Sequence, residues 1–137
     1  MIKFIRVIFM KLIVCLDDNN GMMFNKRRQS RDKVLVKNVL EHCSDKKLYT
    51  NEYSVSLFLE NAVEIFDNIE DVEKSYCFAE NFTVNEEYVD EIIVYKWNRV
   101  YPADTHFNID LGNWTLTESV DFEGSSHEKI TREFYRR

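Results

Sequence analysis

Apolar and polar positions fall in blocks along the first third of the chain. Leu12 to Leu16 is a short continuous apolar run, closed by Asp17, Asp18, Asn19, Asn20 and Gly21. A run of that length bounded by turn residues predicts a strand buried on both faces of a parallel sheet. A polar loop follows to about Gln29, after which Leu35, Val36, Val39, Leu40 and Cys43 recur at helical spacing. That spacing predicts an amphipathic helix over 31–43, with Ser30 as its cap and Asp32 favoured near the positive end of its dipole.

Later elements are shorter. Lys46 to Thr50 reads as a second strand, Tyr53 to Leu59 as a short helix, and Ala62 to Phe66 and Ser75 to Ala79 as brief strands. Asn85 to Tyr88 suggests one helical turn ahead of a strand over Glu91 to Trp97. In the tail, Trp114 to Phe122 and Lys129 to Tyr135 flank Gly124-Ser125-Ser126 with alternating residues, the pattern of an antiparallel hairpin. The expected fold is a single α/β domain: a mixed, mostly parallel sheet with flanking helices and a C-terminal antiparallel hairpin.

Composition narrows the function classes. The chain has 137 residues, 45% hydrophobic and 31% charged, which suits one globular domain with a real core. A net charge of -6 disfavours general nucleic-acid binding, because phosphate recognition rewards a basic face. Cys15, Cys43 and Cys77 are odd in number and lie in apolar segments, so reduced thiols and a cytoplasmic location are expected. The opening is apolar, yet Lys3, Arg6 and Lys11 interrupt it, leaving no uncharged run near the ~18 residues of a membrane span. No small-residue cleavage site follows, so a signal peptide is not expected. Residues 1–9 read as an upstream extension, with Met10 an alternative start to Met1, and 10–137 as the domain.

Two local patterns then meet the order of elements. The first strand runs into Asp17-Asp18-Asn19-Asn20-Gly21-Met22, and the last third carries Asp104-Thr105-His106-Phe107, then Trp114, then a hairpin ending in Arg136-Arg137. Together these resemble dihydrofolate reductase, whose opening strand runs into an Asn-Gly-Ile-Gly loop. That family's tail has an Asp-Thr-x-Phe segment before a tryptophan-containing strand and a closing Tyr-x-Arg-x strand. The resemblance spans most of the chain and implies a dihydrofolate-reductase-like fold.

The departures bear on function. Where the family has a Leu-Pro-Trp segment, this chain has Asn25-Lys26-Arg27-Arg28-Gln29-Ser30; the family's pteridine-binding acid has a counterpart in Asp32. The family's Gly-Arg-x-Thr, which holds cofactor phosphates, corresponds to Asn51-Glu52-Tyr53-Ser54, and its Gly-Gly pair to Ala79-Glu80-Asn81. Glu52 and Glu80 replace attraction for phosphate with repulsion. A threonine of the family is replaced by Tyr95, and the chain is some 20 to 30 residues shorter than the usual family domain. The resemblance therefore implies a kept scaffold without NADPH; no cofactor is expected.

Other chemistry finds little footing. The opening is also similar to short bacterial proteins sometimes called ribonuclease Z, but His42, His106 and His127 have none of the His-x-His-x-Asp-His spacing a two-metal nuclease needs. His42-Cys43 is too small a constellation for zinc. Serine, histidine and aspartate all occur, yet the sequence places no three of them together. Cys15 sits inside an apolar strand, where packing explains it better than nucleophilic work.

The basic run from Lys26 to Arg31 is the most unusual local feature. Asn20, Gly21, Arg27, Arg28, Gln29, Ser30, Arg31 and Asp32 are the candidate ligand-binding residues, for a small anion or a protein partner. The leading expectation is a binding module that is no longer a reductase. Its rivals are a divergent oxidoreductase using Asp32 as proton-handling acid, and a self-associating module in which an exposed sheet edge pairs two copies as a homodimer.

Overall fold

The computed structural model describes residues 9–58 and 62–137. Most of the upstream extension, and Leu59, lie outside the described residues; the short helix expected over Tyr53 to Leu59 ends at Val55, with Ser56 as its C-cap. Ten strands and two α-helices follow in chain order: β1 (Met10–Leu16), β2 (Gly21–Phe24), β3 (Arg27–Arg28), α1 (Lys33–His42), β4 (Leu48–Thr50), α2 (Glu52–Val55), β5 (Glu64–Ile65), β6 (Tyr76–Phe78), β7 (Val89–Lys96), β8 (Thr105–His106), β9 (Thr115–Phe122) and β10 (Ile130–Arg136).

Seven strands form one sheet in the order β5-β4-β6-β1-β7-β10-β9. β1 pairs in parallel with β6 and β7, and β4 in parallel with β5 and β6, while β10 runs antiparallel between β7 and β9. The expectation of a mixed, mostly parallel sheet with a closing hairpin is met. The central strand β1 is buried along nearly its whole length, which is why its sequence is continuously apolar.

Each face of β1 feeds a different core. Leu12, Val14 and Leu16 pack with Cys77, Ala79, Ile92, Val94, Ile109 and Trp114 on one side. Ile13 joins Leu35 and Val39 of α1, with Phe78, Ile93, Tyr95, Ile130 and Phe134, on the other. β9 is an edge strand whose side chains are largely exposed. Glu118 and Asp121 lie along it, charges of the kind that discourage pairing with another strand.

Several elements are shorter than the sequence reading gave them, β5 most of all, and two further differences bear on the site. The loop expected to reach Gln29 contains a small hairpin, β2–β3, to which β8 adds as a third strand. Its turn residues Asn25 and Lys26 both have positive φ, 51° and 61°, the arrangement that suits the twist of a two-residue hairpin. The second difference is the cap of α1, which is Asp32 and not Ser30. Asp32 has extended backbone, and its Oδ1 accepts from the N–H groups of Val34 and Leu35 at 2.9 and 3.2 Å. A carboxylate in this position satisfies two of the helix's free donors, and Ser30 is left to bond elsewhere.

Candidate functional site

Strands β1, β4, β6 and β7 all end on the same edge of the sheet, as parallel strands must, and the β9–β10 turn returns to that edge. Asp17, Asn51, Glu80 and Trp97 stand at or just beyond those strand ends. In parallel α/β sheets such an edge is where ligands bind.

Asp17 organises the first loop. It is 1% exposed. Its Oδ1 accepts from the N–H groups of Gly21 (2.7 Å) and Asn19 (2.9 Å), and its Oδ2 from the N–H of Tyr101 (3.0 Å) and the amide of Gln29 (3.3 Å). Burial pushes its carboxyl pKa up, but these donors outweigh burial and hold it below the usual 3.8. Gly21 is required by close approach: a Cβ there would stand 2.6 Å from both the Ala103 Cβ and the Gln29 Nε2.

A second carboxylate, Asp32, is 3% exposed and ties the β9–β10 turn to α1. Besides capping the helix, its Oδ1 accepts from the Ser125 N–H at 3.0 Å, and its Oδ2 from the Ser126 N–H at 2.9 Å. His127 Nδ1 lies 3.0 Å from the same Oδ2. Burial opposes the charge, yet the Ser125 and Ser126 N–H groups and His127, with Leu35, hold Asp32 well below the ordinary carboxylate range. An ionised Asp32 accepts a hydrogen bond from the Nδ1–H of His127, which in the neutral ring leaves Nε2 an acceptor. That nitrogen faces two hydroxyls, Tyr101 Oη at 3.0 Å and Ser30 Oγ at 3.1 Å. The imidazole is stacked on Trp97, with ring centroids 4.7 Å apart.

A third cluster closes the neighbouring strand end. Arg28 forks onto Glu80, Nε to Oε2 at 2.8 Å and Nη2 to Oε1 at 3.0 Å. Ser54 Oγ donates to the same Oε1 at 2.6 Å, and the guanidinium lies 4.9 Å over the Tyr53 ring. Glu52 is exposed in the first turn of α2.

The residues expected to converge on one anion therefore have separate fates. Arg28 faces Glu80, Gln29 bonds Asp17 and the Pro102 carbonyl, Ser30 bonds His127, and Asp32 is enclosed by the β9–β10 turn. Asn20, with φ 60°, uses its carbonyl to accept from Phe107 N–H. Arg27 and Arg31 are exposed and line different hollows. A cavity of about 10 Å³ lies among Cys15, Met22, Arg28, Ser30, Glu80 and Trp97. A larger groove of about 490 Å³ lies outside the turn, lined by Arg31, Asp32, Lys33, Val36, Leu57, Ser125 and Ser126.

Sequence reasoning missed His127, Tyr101 and Asp17 as members of the site. His127 and Asp32 are 95 positions apart, and the one local signal was a histidine directly after a Gly-Ser-Ser turn.

No protein-family model matches the chain, and no curated protein matches it. Among solved structures, a dihydrofolate reductase from Enterococcus faecalis, complexed with NADP(H) and RAB-propyl, superposes with a TM-score of 0.69 at 12% identity. The match covers 94% of this chain and 96% of that one. The strand order, the reversed β10 and this superposition agree: the chain is a single α/β domain with a dihydrofolate-reductase-like fold.

Proposed function

We propose that the domain is a ligand-binding module that does not run the reductase reaction. Its ligand is a small molecule with an anionic head and an apolar body, held in the groove between α1, α2 and the β9–β10 turn. The observation that carries this reading is the pairing of Arg31 and Lys33, both exposed, with an apolar wall of Val36 and Leu57 in one groove. Its size, about 490 Å³, lies in the range of small-molecule sites.

The closed state of the neighbouring edge supports the same reading. An unpaired guanidinium holds a cofactor phosphate bidentately, and Arg28 is instead engaged by Glu80 on two bonds. Glu52 adds a repulsive charge nearby, so NADPH is not the ligand we propose. The alternative, Asp32 as the proton-handling acid of a divergent oxidoreductase, draws no support from its surroundings. A carboxylate held ionised by four backbone N–H groups and His127 is a poor proton donor near neutral pH.

An amphiphilic aromatic sulfonate, 1-anilinonaphthalene-8-sulfonate, tests the groove. Saturable fluorescence enhancement is expected, with affinity falling roughly tenfold in Arg31→Ser/Lys33→Ser as about 1.4 kcal/mol of attraction is lost. Equal affinity in the double variant contradicts this site.

A further inference from the structure

Ser30 and Asp32, from the segment entering α1, meet His127 of the β9–β10 turn, and their geometry has a chemical consequence beyond ligand binding. Asp32 Oδ2 stands 3.0 Å from His127 Nδ1, and His127 Nε2 stands 3.1 Å from Ser30 Oγ. Asp32, 3% exposed, and His127, 5% exposed, are enclosed, while Ser30 is only partly buried. The carboxylate fixes the imidazole tautomer, the Trp97 ring fixes its plane, and the Nε2 lone pair faces the hydroxyls of the partly buried Ser30 and of Tyr101. We infer that Ser30 is an activated nucleophile that accepts an acyl group from small activated esters, with His127 as its general base and Asp32 as the residue that positions His127.

The step balances without any further reactant. Ser30 Oγ attacks the acyl carbon while its proton passes to His127 Nε2. The bond from carbon to the leaving oxygen then breaks, and that oxygen takes the proton from Nε2, leaving acyl-Ser30 and a free alcohol or phenol. Two features restrict the donor. The cavity beside Ser30, about 10 Å³, has no room beyond a single water, so a compact acyl group is favoured. The first N–H groups of α1 already bond Asp32 and Ser125, which leaves weak stabilisation for an oxyanion. Donors with good leaving groups are therefore required.

Tyr101 supplies a readout that a purely structural role for His127 does not share. Its hydroxyl competes with Ser30 for the same Nε2 lone pair, so removing it should free the base for Ser30. The experiment is incubation of the full chain with 4-nitrophenyl acetate, following nitrophenolate release and mapping the acetylated peptide by mass. The expected results are acetylation at Ser30, its loss in Ser30→Ala, and acceleration of about twofold or more in Tyr101→Phe. In a folded His127→Gln variant, acetylation should slow about 100-fold or more. Acetyl groups found only on lysine or tyrosine, nitrophenolate release unchanged in Ser30→Ala, or slower Ser30 acetylation in Tyr101→Phe would each overturn the inference. The Tyr101→Phe and Ser30→Ala arms decide it even where His127→Gln fails to fold.

Discussion

His127 Nδ1 lies 3.0 Å from Asp32 Oδ2, joining the last hairpin to the first helix across 95 positions of sequence. The carboxylate is at once the cap of α1 and the acceptor for the Ser125 and Ser126 N–H groups. One side chain thereby fixes the helix start, the hairpin turn and the imidazole tautomer.

Asp32→Asn replaces one oxygen of this acceptor by an NH2 group that faces donors. The expected loss is roughly 3 kcal/mol of stability, since bonds to a charged group and a helix cap are both weakened. Thermal or urea unfolding measures it. A loss below about 1 kcal/mol would reduce Asp32 to a simple cap.

Acid should act through the same residue. Asp32 and Asp17 both titrate below their ordinary 3.8 in the folded chain. A carboxyl whose folded pKa is depressed adds stability above the unfolded value, and that stability is lost as pH falls from about 4 downward. Unfolding free energy measured from pH 5 to pH 2 should drop, with a shallower slope in Asp32→Asn. An identical slope in wild type and variant contradicts the assignment.

Gly124 is held by contact with the same carboxylate. An added Cβ would meet Asp32 Oδ2, with the Asp32 Cγ and the Ile130 Cδ1 each 2.9 Å away. Gly124→Ala should cost about 1–3 kcal/mol through this overpacking, read as a fall in melting temperature. A variant as stable as wild type means that the turn shifts freely.

The fold was largely legible from hydrophobic patterning. β1 is continuously apolar because both its faces are buried, and the tail hairpin alternates around a Gly-Ser turn. The β2–β3 hairpin escaped because its turn is Asn25-Lys26, and a lysine with positive φ carries no sequence signal. The site was legible only in pieces. Asp32 and Glu80 stood out by position, but the ion pair that joins Glu80 to Arg28 was not legible across the sequence between them. Pairings such as Ser30 with His127 depend on long-range closure of the sheet, which local spacing does not encode.

The Arg28–Glu80 pair gives a direct contrast with its neighbour. Their side chains are 19% and 9% exposed, so Arg28→Ala leaves a mostly enclosed carboxylate with Ser54 as its remaining side-chain donor and should cost about 3 kcal/mol. Arg27→Ala, at an exposed position, should cost within about 0.5 kcal/mol. Equal effects in paired unfolding measurements contradict a structural role for the pair.

The three thiols should be unreactive in the native state. Burial pushes Cys43 and Cys77 up to about 12, and burial with the nearby Glu80 charge pushes Cys15 well above its ordinary value. Since the thiolate is the nucleophile, iodoacetamide at neutral pH should label none of them until denaturant is added. Rapid native labelling of Cys15 would contradict this.

Titration with NADPH, followed by Trp97 and Trp114 fluorescence and by melting temperature, tests the central claim most directly. Wild type should show no saturable response up to millimolar cofactor, because Arg28 is engaged by Glu80 on two bonds. Saturation in the micromolar range, with a matching rise in melting temperature, would contradict the account and return the domain to the reductases.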